Sequence, residues 1–127
     1  MKIQLTGKVF TGKGEGKQYV ERPWVQHEIE TKLGFSPYAG TLNLRLTPES
    51  AKQRKAIEKF ADLRVCATHG CCGGILFKAQ IDKMDCGVVI PELEEYPPDV
   101  LEVIAYAYLR QKLGLRDDDE VAVMVTV

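Results

Sequence analysis

Gly40-Thr41-Leu42-Asn43-Leu44-Arg45-Leu46 sets three leucines two residues apart. A period of two places Leu42, Leu44 and Leu46 on one face of an extended strand and Thr41 and Asn43 on the other. One apolar face and one polar face is the pattern of an antiparallel sheet with a single buried side. Working outward, Ile3, Leu5 and Val9 alternate in the same way, and Tyr19-Val20 continues that β stretch beyond a glycine-rich loop. Leu63 to Ala67, Gly74 to Ile81, Cys86 to Ile90 and Val121 to Val127 supply further strands, with turns at Asp82-Lys83 and Asp117-Asp118-Asp119. Helical spacing is predicted for Trp24 to Leu33, stopped by Gly34. A second helix runs from Thr47-Pro48 to about Phe60, with Thr47 as its cap. A third, the best in the chain, covers Asp99 to Leu113, between Pro98 and Gly114. Six or seven short strands without a βαβ repeat predict a mainly β fold, an antiparallel barrel with two or three peripheral helices in a single domain over residues 1–127.

The chain has 127 residues, 45% of them apolar and 28% charged, with a net charge of −1. Those are globular values, and so small a charge provides no broad field for nucleic acid. No apolar run approaches a membrane span, and Met1-Lys2-Ile3-Gln4-Leu5 reads as strand and not as a signal peptide. The expectation is a cytoplasmic protein that contacts neither membrane nor nucleic acid, with its four cysteines as thiols or metal ligands.

Two segments carry chemistry. Gly12-Lys13-Gly14-Glu15-Gly16-Lys17 has glycines at every second position, so its amides can approach a ligand, and its lysines suit an anion such as a polyphosphate. It lacks the Gly-Lys-Ser/Thr ending of a P-loop and has no helical pattern after its last glycine, so the expected context is a β-hairpin. Taken by itself, such a loop between two strands is more often a plain hairpin turn than a nucleotide site. Thr41 and Asn43 can together hold a hard cation by oxygen, or simply face water.

Cys66, His69, Cys71 and Cys72 hold enough soft donors for Zn²⁺ or an iron–sulfur cluster. Their spacing is irregular, and incidental thiols on a glycine-rich loop are the plainer reading. Cys86 falls in an apolar strand and reads as a buried small hydrophobe; His27 reads as surface. Of Tyr106 and Tyr108, two apart on the expected helix, one is assigned to the core and the other is free to lie against a ring.

The chain resembles the archaeal CTP-dependent riboflavin kinases. The resemblance rests on Gly7-Lys8-Val9-Phe10-Thr11-Gly12-Lys13-Gly14-Glu15-Gly16 and on Leu33-Gly34-Phe35-Ser36-Pro37-Tyr38-Ala39-Gly40-Thr41-Leu42-Asn43-Leu44. Gly87-Val88-Val89-Ile90-Pro91 and Glu102-Val103-Ile104-Ala105, with Leu109-Arg110, extend it into the C-terminal half. It implies a six-stranded cradle-loop barrel that phosphorylates riboflavin to FMN with CTP and Mg²⁺. It further implies that Gly12, Lys13, Gly14, Glu15, Gly16 and Lys17 cradle the nucleotide phosphates. Thr41 and Asn43 would hold Mg²⁺, and Ala107, Tyr108, Leu109 and Arg110 would touch the cytidine nucleotide. Glu102 would lie at the flavin and orient or deprotonate the ribityl hydroxyl. A second flavin-side position falls on Glu94, an acid where the family pattern has a hydroxyl. On residue type alone, Glu102 is equally a solvated glutamate and Arg110 a helix-end cation. The family's frequent N-terminal winged-helix domain is not among these residues, and the Cys-rich stretch is not in the family pattern. Three other readings stay open: a kinase with a different donor or acceptor, a flavin- or nucleotide-sensing barrel without catalysis, and a metal-binding interaction protein built on the cysteines.

Overall fold

A computed structural model describes residues 1–65 and 73–127. In chain order the elements are β1 (Lys2–Phe10), α1 (Glu15–Val20), α2 (Pro23–Leu33), β2 (Leu42–Leu46) and α3 (Pro48–Ile57), which runs into a 3-10 turn at Glu58–Phe60. Then come β3 (Leu63–Val65), β4 (Gly74–Ile81), β5 (Met84–Pro91), β6 (Val100–Ile104), α4 (Leu109–Leu113) and β7 (Glu120–Thr126). The sheet runs β3-β4-β5-β6-β2-β1-β7, and β7 pairs back onto β4 through Ala79 with Val125 and Gln80 with Met124. Six antiparallel strands therefore close a barrel, and β3 lies outside it on β4. Closure removes the exposed sheet edges that an open six-stranded sheet would leave.

The alternation of β2 decides its two faces as expected. Leu42, Leu44 and Leu46 enter the barrel core with Leu5, Val9, Leu101, Val103 and Val123. A second apolar cluster covers part of the outer wall, where Val20 of α1 and Val25 and Ile29 of α2 pack against Val65, Leu76, Val89 and Ile104. The helices are thus fastened to one side of the barrel by their own buried stripe. Cys86 is buried as expected. Its burial, and next the adjacent Asp85 carboxylate, push the thiol up to about 12, which keeps it protonated and inert.

Three expectations about the elements are corrected. First, the glycine-rich segment does not turn between two strands. Gly14, with φ of 85°, opens helix α1, and Tyr19-Val20 lies in that helix. Two apolar residues cannot distinguish strand from helix by period; the second core, which takes Val20, decides it. Second, Asp99 to Leu113 is not one helix. Val100–Ile104 is strand β6, and only Leu109–Leu113 is helical. Val100, Val103 and Ile104 have helical spacing, but they are also β-branched, and the gap between β5 and β2 recruits them as the strand that completes the barrel. Third, there are four α-helices among the described residues and not two or three.

Tyr106 and Tyr108 are both exposed, so neither belongs to the core. The Thr47 cap is present: its hydroxyl oxygen accepts the Ser50 N–H at 3.2 Å, and Pro48 sits at the first helical position. Thr47→Ala should lower stability by about 1 kcal/mol, read as a lower urea midpoint at unchanged slope. An unmoved midpoint would show that the cap contributes nothing.

Candidate functional site

Where β2 pairs with β6, Asn43 is directly opposite Glu102. Both project from the outer face of the wall, because the inward positions are taken by Leu42, Leu44, Leu101 and Val103. A cleft of about 830 Å³ opens there. The glycine-rich segment bounds it on one side; Tyr38 to Asn43 and Ala107 to Arg110 bound the rest.

At its floor is a chain of oxygens. The Thr41 hydroxyl lies 2.9 Å from Asn43 Oδ1 and 3.1 Å from Glu102 Oε1. Its single proton can satisfy only one of these acceptors fully. Glu102 Oε2 accepts a hydrogen bond from the Tyr96 hydroxyl at 2.5 Å. Burial, then the charge of Glu102 and the hydrogen bond to it, push the Tyr96 hydroxyl above its ordinary value, so it stays protonated and donates. Two neutral oxygens beside a carboxylate are a donor set for a hard cation. Among the described residues no three His, Cys, Asp or Glu side chains converge, so a cation here would complete its shell with water or ligand oxygens.

The glycine-rich segment lies directly on this floor. A Cβ on Gly16 would collide with Thr41 Oγ1 and Glu102 Oε1, and one on Gly12 with the Asn43 side-chain amide. The glycines are therefore needed for close approach as well as for turning. Lys13, Glu15 and Lys17 line the cleft, and neither lysine makes a salt bridge among the described residues, which leaves both ammonium groups for an incoming anion.

A second polar cluster closes one end. Arg110 donates to Asp117 Oδ1 at 2.8 Å and to Thr11 Oγ1 at 3.1 Å, and the Thr11 hydroxyl lies 3.0 Å from the same carboxylate oxygen. The hydrogen bonds from Arg110, and next from Thr11, hold the Asp117 carboxyl below its ordinary value. The helix-end reading of Arg110 is thus incomplete, because its side chain ties α4 to the end of β1. Tyr38 and Tyr108 stack at the rim, with centroids 5.3 Å apart and planes at 18°. The Tyr38 N–H fixes that rim by donating to Ala105 O at 2.8 Å.

The structure brings together Gly12 to Lys17, Thr41, Asn43, Glu102 and Ala107 to Arg110 around one cleft. Glu94 stands apart: it is exposed and is not among the cleft residues. Cys66, His69, Cys71 and Cys72 lie outside the described residues. His27 is exposed. Sequence reasoning assigned no role to Tyr96, Thr11 or Tyr38. A tyrosine within the acidic stretch Glu92 to Asp99 was the available signal for the first. The other two depend on partners far along the chain, Arg110 for Thr11 and Tyr108 for Tyr38, which no local pattern announces.

Comparison with known proteins identifies the family. A family model named for the CTP-dependent riboflavin kinase, and described as a domain of unknown function (DUF120), matches residues 9–125. A riboflavin kinase of Methanococcoides burtonii is 40% identical over 132 residues, covering 98% of this chain and 57% of the relative. One from Archaeoglobus fulgidus is 39% identical over 127 residues, covering 97% of this chain and 54% of the relative. One from Pyrobaculum islandicum is 36% identical over 131 residues, covering 98% and 61%. The chain thus spans between half and two thirds of the length of these relatives. With the family's pattern matched from the end of the first strand almost to the C-terminus, this chain belongs to the CTP-dependent riboflavin kinase family.

Proposed function

We propose that this protein transfers the γ-phosphoryl group of CTP to the 5′-hydroxyl of riboflavin, giving FMN and CDP. The observation that carries the proposal is the packing of Gly16 against Thr41 and Glu102, which brings the glycine-rich segment, two neutral oxygens and a carboxylate within one cleft. In this reading the Gly12–Lys17 amides and the two lysines neutralise the phosphates. Glu102 takes the proton of the ribityl hydroxyl as its oxygen bonds to the γ-phosphorus and the bond from that phosphorus to the bridging oxygen breaks. Phosphoryl transfer demands positioning and charge neutralisation more than covalent chemistry, and these residues supply both.

The oxygen set at Thr41 and Asn43 fits Mg²⁺, which binds few protein ligands and keeps oxygen from water and phosphate. When bound, Mg²⁺ would offset charge on the phosphate oxygens. The protein's own part is to hold Thr41 and Asn43 two residues apart on one outward face of the barrel wall.

The test is incubation with riboflavin, Mg²⁺ and each nucleoside triphosphate in turn, with chromatography for FMN. FMN formed with CTP supports the proposal. FMN formed only with another triphosphate would overturn the donor, and tight riboflavin binding without FMN would make the barrel a sensor. Asn43→Ala should lower turnover at least about tenfold at limiting Mg²⁺, with partial recovery as Mg²⁺ rises, since it removes one metal oxygen and leaves the inward leucines in place. Wild-type rates at every Mg²⁺ concentration would remove Asn43 from the metal site.

A further inference from the structure

We infer that Tyr96 is a positioning residue for phosphoryl transfer, fixing one oxygen of the Glu102 carboxylate so that the other faces the substrate hydroxyl. The inference rests on the phosphotransferase reading above.

The two carboxylate oxygens of Glu102 have different partners. Oε1 shares the Thr41 hydroxyl at 3.1 Å, a contact that Thr41 can exchange because Asn43 Oδ1 is nearer, at 2.9 Å. Oε2 takes the Tyr96 hydroxyl at 2.5 Å, a short hydrogen bond to a charged acceptor. A side chain held at one oxygen by a strong donor can still rotate about its own axis, but far less than an unheld one. Oε1 therefore stays aimed at the cleft when Thr41 turns away.

Tyr96 is itself held. It sits in the loop between β5 and β6, whose residues Glu92 to Glu95 are exposed, yet its ring turns inward and lines the cleft. The Tyr96 N–H donates to Leu93 O at 3.1 Å, which closes the loop locally. The Arg54 guanidinium of α3 lies 5.4 Å from the centre of its ring. Arg54 is only 3% exposed, its Nη1 donates to Pro98 O at 2.8 Å, and its Nε has no hydrogen-bond partner among the described residues. A buried guanidinium that is not fully hydrogen-bonded is costly. Cation–π attraction to Tyr96 offsets part of the cost and anchors the ring face. The hydroxyl is thus delivered from a fixed ring to a fixed oxygen.

Tyr96→Phe keeps the ring against Arg54 and removes only the donor. Loss of a hydrogen bond to a charged group predicts a fall in kcat of about tenfold or more. KM for riboflavin and for CTP should stay within about twofold, because the hydroxyl orients a reacting group and does not bind substrate. In a Glu102→Gln background the same substitution should cost less than about twofold, since Tyr96 acts only through that carboxylate. Circular dichroism and riboflavin fluorescence quenching accompany the kinetics to show that fold and flavin binding persist. Parental kcat in Tyr96→Phe overturns the inference, as does an equal loss in both backgrounds, which would mark a structural effect independent of Glu102. A parent protein that makes no FMN overturns the phosphotransferase reading and this inference with it. An active parent with an unaffected variant overturns this inference alone.

Discussion

Glu102→Gln is expected to lower kcat for FMN formation by about 10²–10⁴-fold, the range typical of a lost general base. The substitution keeps size, polarity and an oxygen for the Tyr96 hydroxyl but removes the negative charge that, in the proposed reaction, would accept the ribityl proton. Glu102 sits mid-strand on β6, between Leu101 and Val103, which face the barrel core, so its backbone is fixed by cross-strand pairing with Asn43 and Val89. The fold should be indifferent to the change. Steady-state kinetics would show the loss in kcat, and riboflavin fluorescence quenching should show an affinity little altered. Turnover close to wild type would eliminate Glu102 as the base and leave it as a polar spacer between Thr41 and Tyr96.

Gly16→Ala should be nearly as damaging, with a loss of about 10²-fold in kcat/KM, the scale set by displacing a reacting constellation by about an ångström. The added methyl would enter space occupied by Thr41 Oγ1 and Glu102 Oε1, so either the segment lifts or both side chains rotate away. Either response separates the glycine-rich segment from the oxygens of Thr41 and Glu102, the two parts that the proposed reaction needs together. Gly34→Ala, outside the cleft, is the matched control. Gly34 has φ of 86°, and a methyl group added there would meet nothing within 4 Å. The expected cost is therefore about 1–2 kcal/mol of backbone strain, read in thermal unfolding. The contrast separates a glycine required by its neighbours' side chains from one required by its own backbone. A Gly16→Ala protein with parental kcat/KM would show that the segment does not work in contact with Thr41 and Glu102.

Much of the fold was legible from local periodicity. Leu42, Leu44 and Leu46 announced both the strand and its inward face, and Thr47-Pro48 announced a helix start that the hydrogen bond to Ser50 bears out. Glycine spacing drew attention to residues 12–17, but not to their conformation. A helix of six residues with one buried side chain has too little pattern to be read as one. The same limit applied to Val100–Ile104, where β-branched residues at helical spacing suited either state until neighbouring strands selected one. Tyr96 was hidden for a related reason, since an acidic loop predicts solvent and only its inward turn brings it onto Arg54 and Glu102.

The amino-acid order alone determined which side chains share a face, because strand alternation and helix capping are set by residues within a few positions of one another. It also carried the family's pattern along most of the chain. Only the folded barrel decided that Thr41 and Glu102, 61 residues apart, share a hydrogen bond, and that Gly16 closes over both. Strand neighbours are chosen by burial and pairing across the whole molecule, so a site assembled between strands exists only once the barrel has closed.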